Sequence, residues 1–268
     1  MSTNEQSKGN LTQKQARQRR IDWMNCPTNQ LQELFYSCRV QEGLIERHRA
    51  IAYYLPQATR DSKDWEEVVA HSKEIKGFSV CMGCKAADKK DELNNSSMFA
   101  PFLVIKMDKQ EYYFDLQCDF EVDIFSSNGA VSNNLDVPIT RQTALHFIQA
   151  WCECSYSDLA AAFEGKVGLR KKLILQEKGK EWFGKPFYLH ETRRVHSYSF
   201  QADVENIVPA SSSFLYVVMG IGQPHTATDH PFAFRPIILT QPLDPSQNNS
   251  GSGAYEFSRP CPPKCSDT

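Results

Sequence analysis

The residues whose types and spacing most directly permit chemistry are the thiols of Cys81-Met82-Gly83-Cys84. Two thiolates at this spacing can share one zinc, or form a reversible disulfide where a helix N-terminus lowers a thiol pKa. A zinc knuckle needs a second pair at similar spacing. The other close pairs are Cys152/Cys154, in a predicted helix where the two side chains diverge, and Cys261/Cys265. A thioredoxin-like reading lacks the preceding strand and βαβ pattern. Structural thiols are therefore the expected reading, with zinc binding or thiol redox chemistry centred on Cys81 and Cys84 as alternatives.

A second candidate set is histidine. His190, His196, His225 and His230 all fall in the last third of the chain. His190 and His196 have even separation, so an unbroken strand places them on one face. With Glu191 or Asp229 they form the makings of a two-His, one-carboxylate site for iron or zinc. No H-x-H or HExxH fixes their approach, so scattered histidines are expected and a metal-dependent enzyme is the alternative. Gly220-Ile221-Gly222 lacks a third glycine, and Pro224 stands where a helix should open. No GxSxG, Walker A or kinase signature occurs, so no catalytic residue and no cofactor is assigned.

The third set is acidic. From Glu111 to Phe125, even positions carry Tyr112, Phe114, Leu116, Cys118, Phe120, Val122 and Ile124, while odd positions include Asp115, Asp119, Glu121 and Asp123. Strand side chains alternate between faces, so this run predicts a ribbon with one apolar and one acidic face. The acidic face is the candidate surface for a divalent cation or a basic protein partner; its plainer reading is a solvated sheet face.

These residues need elements to hold them. Phe99 to Met107 is apolar on both parities, as in a strand covered on both sides. With Asp108-Lys109-Gln110 as a loop, it predicts a hairpin over 99–125. Helices are predicted over 28–54 (stripe Leu31, Leu34, Phe35, Cys38, Ile45; stop Pro56), 62–76 (cap Ser62, stop Gly77) and 140–163, with a break near Cys154. The fold class is therefore α+β, a mostly antiparallel sheet nucleated by the hairpin with these helices packed on it. One domain is expected over 21–243, between a polar, partly flexible tail at 1–20 and a flexible tail at 244–268. Tyr255 and Phe257 are the exception in that tail, spaced to dock as a short strand on a sheet edge.

The 268 residues, 41% hydrophobic and 23% charged, fit an ordinary globular protein. The formal charge of −2 gives no global pull toward nucleic acid or membrane. Lys166, Arg170, Lys171 and Lys172 form a local basic run. The basic stretch Leu11 to Arg20 has no interleaved aromatic residues, so nucleic acid is not expected there. No window approaches a membrane span, and no secretory segment precedes Arg20, which predicts a cytoplasmic location. The expected function is thus that of a non-enzymatic interaction or assembly protein.

Overall fold

A computed structural model describes residues 10–41, 44–86, 97–108, 110–119, 141–155, 159, 162–171, 174–177, 180–183, 187–200, 207–208, 215–222, 233–240, 254–256 and 259–261. At 32, 36–41, 44–48, 97, 141–142, 164–171, 174–177, 180–183, 187–193, 233, 254–256 and 259–261 it describes backbone alone.

Helix α1, Gln13–Asn25, opens with a capping box: the Thr12 hydroxyl accepts from the Gln15 amide, and the Gln15 side chain accepts from the Thr12 amide. Ala16 and Trp23 are buried, so from Thr12 onward the expected polar tail over 1–20 is a packed element. Residues 1–9 lie outside the described residues.

The helix expected over 28–54 is corrected. Helix α2 covers only Thr28–Leu34, and strands β1 (Tyr36–Gln41) and β2 (Leu44–Arg49) follow as an antiparallel hairpin. Tyr36, Cys38 and Val40 alternate with Ser37, Arg39 and Gln41, a period of two that outweighs the sparser helical stripe. Strand β3 is Ala52–Tyr54. Helix α3 is Gln57–Arg60 and α4 is Lys63–Ala70, the latter capped by Ser62 as expected. The 62–76 helix stops at Ala70, a 3-10 turn spans Ser72–Glu74, and Gly77 begins a strand.

That strand is β4, Gly77–Cys81; β5 is Cys84–Ala86, β6 Ser97–Phe99 and β7 Phe102–Lys106. β7 turns into β8, Glu111–Asp115, in the expected hairpin, with Lys106 opposite Glu111 and Phe102 opposite Asp115. The ribbon does not continue to 125 as one strand. It breaks at Leu116, and β9, Gln117–Asp119, joins a different sheet. Positions 120–125 lie outside the described residues. Helix α5, Arg141–Glu153, ends where the break near Cys154 was expected.

A nested ribbon follows: β10 (Glu164–Lys171) pairs with β13 (Phe187–Arg194), and between them β11 (Ile174–Glu177) pairs with β12 (Lys180–Phe183). The remaining strands are β14 (Ser197–Phe200), β15 (Tyr216–Val218), β16 (Ile221–Gly222), β17 (Ala233–Phe234), β18 (Ile237–Leu239), β19 (Ala254–Glu256) and β20 (Arg259–Cys261).

Two five-stranded sheets result, in orders β20-β14-β4-β7-β8 and β19-β18-β15-β3-β9, with every neighbour antiparallel. The fold is α+β. Chain continuity joins the sheets at both edges: β8 passes to β9 through Leu116, and β19 is followed by β20. Within the tail expected to be flexible at 244–268, Ala254–Glu256 pairs along the edge of β18, the docking expected of Tyr255, and Arg259–Cys261 pairs along β14. The unpaired backbone groups along β18 and β14 are templates for pairing, and a polar chain satisfies them as well as an apolar one. Pro260 is tolerated because β20 is an edge strand.

Alternation sorts each sheet into two faces. Phe78, Val80, Leu103, Ile105, Phe114, Tyr198 and Phe200 of the first sheet share the central core with Tyr53, Val217 and Ile238 of the second. Trp23, Phe35, Phe99, Trp151, Phe163 and Phe234 form a continuous ring cluster in that core, with centroid separations of 4.5 to 6.4 Å. Both outer faces are covered by helices. Ala16 of α1 packs with Cys81, Phe102 and Val104, and Ala144 and Ile148 of α5 pack with Ala52, Val218 and Ile237. No described helix is long and apolar enough to cross a membrane.

Candidate binding site

Cys81 and Cys84 do not converge. Cys81 ends β4 on the outer face, where Arg20 Nη2 donates to its Sγ at 3.4 Å. Cys84 begins β5 and lies in the central core. Burial pushes its thiol up to about 12; nearby Cys26 and Asp22 add to the rise, and Arg194 opposes it. A core thiol in that state is a small apolar group, not a nucleophile. The glycine between them is needed for packing: a Cβ on Gly83 would sit 2.6 Å from the Ala100 carbonyl oxygen.

The histidines are not brought together either. His190 stands on β13 opposite Gly168, while His196 lies between β13 and β14, 8% exposed, with Nδ1 3.1 Å from Ser197 Oγ. The unbroken strand that would place them on one face is interrupted at Val195-His196, because β13 belongs to the ribbon and β14 to the first sheet. His225 and His230 lie outside the described residues. Among the described residues, no group of three or more His, Cys, Asp or Glu side chains is placed to hold a metal.

The acidic face is also divided. Asp115 faces α1, where Arg19 grips it in a fork of 2.5 and 3.2 Å. Asp119 belongs to the other sheet and accepts the Tyr216 hydroxyl at 3.2 Å. Burial, and then the Asp119 charge, pushes Tyr216 up to about 12, so this phenol stays a donor. Glu121 and Asp123 lie outside the described residues. The expectation of one continuous solvated acidic surface fails for Asp115 and Asp119, since the strand carrying them splits between two sheets and a helix covers the first part.

That helix creates a site the sequence reading passed over. Between α1 and the β7–β8 hairpin runs a groove of about 470 Å³, whose walls include Lys14, Arg17, Arg20, Lys106, Glu111 and Tyr113. Lys14 and Arg17 are exposed, and Arg20 is half-buried beside Cys81. Glu111 lies 3.4 Å from Lys106 Nζ and also accepts the Tyr113 hydroxyl, so the one carboxylate among the described walls is answered within the groove. Among the described walls, four cations stand against that carboxylate, which makes this lining electropositive. The signal was present in the three-residue steps Lys14, Arg17, Arg20, which share a helical face once Thr12 and Gln15 are read as a cap.

The β10–β13 ribbon springs from the other end of α1. Val195 N donates to Phe163 O at 2.7 Å, closing the ribbon's base. Arg194 donates to Trp23 O at 2.6 Å and Cys26 O at 2.7 Å, and its guanidinium lies 5.4 Å from the Trp23 ring centroid. These bonds satisfy carbonyls at the helix C-terminus, where a cation also suits the dipole.

No family model, curated protein or solved structure matches this chain.

Proposed function

We propose that this chain is a non-enzymatic interaction or assembly protein whose β10–β13 ribbon is its binding arm. One observation carries this reading: the ribbon pairs over eight residue pairs with itself and, among the described strands, with neither sheet of the sandwich. A two-stranded ribbon is marginal by itself in water, so so long an extension is most readily explained by a partner that uses it. Six described cysteines carry free thiols, which suits the reducing cytoplasm.

The test replaces residues 166–192 with a short Gly-Ser turn. Since Arg194 and Val195 remain to close the base, the melting temperature should shift by no more than a few degrees. In-cell crosslinking should then lose the partners that the whole chain captures. An unchanged set of crosslinked partners from the folded, armless protein would defeat the reading.

A further inference from the structure

Two cationic surfaces hang on one helix. The run Leu11 to Arg20 has no aromatic residue of its own, but the fold supplies one from another strand: Tyr113 of β8 walls the groove that Lys14, Arg17 and Arg20 enter. A basic groove with an aromatic wall has the composition that holds single-stranded nucleic acid, where cations follow the backbone and bases stack on rings.

At the far end of α1 the ribbon repeats that composition. Its register places Lys166, Arg170, Tyr188 and His190 on one face, since Arg170 stands opposite Tyr188 and Gly168 opposite His190. Residues 164–194 hold nine lysines and arginines against four glutamates, in a chain whose formal charge is −2. Positive charge is thus concentrated in this arm while the rest of the chain is acidic.

The dimensions favour a polymer over a small anion. The groove-lining stretch of α1, Gln13 to Arg20, runs about 12 Å and the eight-residue strands of the ribbon about 26 Å, each longer than a single phosphate. A small phosphate ligand would occupy the groove alone. We propose that the α1 groove and the basic face of the ribbon form one track for single-stranded nucleic acid, with phosphates on the cations and a base stacked on Tyr113. The Tyr113 ring among the groove's cations is what favours nucleobases over an acidic peptide. The proposal rests on the ribbon being an interaction arm, and its test separates the two.

Fluorescence anisotropy of the full chain with labelled single-stranded DNA and RNA of about 20 nucleotides is the direct measurement. Four phosphate contacts, at Lys14, Arg17, Lys166 and Arg170, give a slope of about −2.8 in log K against log salt. That slope is a loss of about 50-fold between about 50 and about 200 mM salt. Lys14→Gln with Arg17→Gln, and Lys166→Gln with Arg170→Gln, should each weaken binding and lower the slope by about 1.4. Tyr113→Ala should weaken binding by about tenfold, while Tyr113→Phe, which keeps the ring and removes the hydroxyl, should bind like wild type. Melting curves confirm that each variant is folded. Absence of binding at low salt, or binding that ignores both cation pairs, overturns the proposal. Competition by poly-glutamate or anionic vesicles as strong as by unlabelled oligonucleotide also overturns it, assigning the track to an acidic protein or a lipid surface. If the oligonucleotide fails while the armless protein still loses its crosslinked partners, the interaction reading stands and the nucleic-acid proposal falls.

Discussion

Trp23 decides whether α1 is part of the folded body or an appendage on it. Its indole is fully buried and stands 5.5 Å from the Phe99 ring, 5.1 Å from Phe163 and 6.3 Å from Phe35. Nε1 donates to Val195 O at 2.9 Å, which ties α1 to the residue that closes the ribbon. Trp23→Ala removes the ring and leaves a cavity, at a cost of about 3–5 kcal/mol, and strands a buried carbonyl for about 1 kcal/mol more. Against a domain stability of about 5–15 kcal/mol that is a large share, enough to move a denaturant midpoint by more than 1 M at a typical urea slope. Trp23→Phe divides the total. It retains much of the ring packing and removes only the donor and one ring, so about 1–2 kcal/mol is expected. Urea titration followed by far-UV circular dichroism measures both. A frayed terminal helix would instead show changes within about 0.5 kcal/mol, as surface substitutions do. A cost below about 1 kcal/mol for Trp23→Ala would therefore refute the placement of α1 in the core.

Two further outcomes follow from the site's geometry. Asp115→Asn should cost about 1–3 kcal/mol by urea titration, because Arg19 and Asp115 are only 13% and 20% exposed and the change leaves a guanidinium poorly answered; Asp119→Asn, which keeps an acceptor for Tyr216, should cost less than about 1 kcal/mol. Cys84 and Cys118 are held protonated to about 12 by burial, above the ordinary thiol value of 9.0, so the unfolded chain loses these protons first. Stability should then be intact below pH 9 and fall as pH rises toward 12, by at most about 1.4 kcal/mol per pH unit per thiol. Cys84→Ala should make that fall shallower in urea titrations at stepped alkaline pH, and an unchanged slope would contradict the burial of Cys84.

The sequence by itself determined what depends on neighbours along the chain. The β7–β8 hairpin was legible because strand alternation is a local pattern with period two, and the Ser62 cap and the break near Cys154 because helix ends are set by residues within one turn. Thr12 and Gln15 carried the α1 cap just as plainly, but the polar composition around them hid it. Residues 36–49 were misread because Leu34, Cys38 and Ile45 fit a helical stripe while Tyr36, Cys38 and Val40 fit a strand, and only pairing with a second strand separates the two. The tertiary structure alone decided which surfaces are wet. Asp115 and Asp119 look equivalent in an alternating run, yet the turn at Leu116 sends one beneath α1 and the other into a second sheet. Cys81 and Cys84 are close in sequence and lie in different apolar clusters, because β4 ends at the first and β5, in a separate sheet, begins at the second. The basic groove likewise exists only where α1 meets the β7–β8 hairpin: Lys14, Arg17 and Arg20 are roughly 90–100 residues from Tyr113, and no local pattern can bring them together. Packing sets which side chains lose water, and packing is a property of the whole chain.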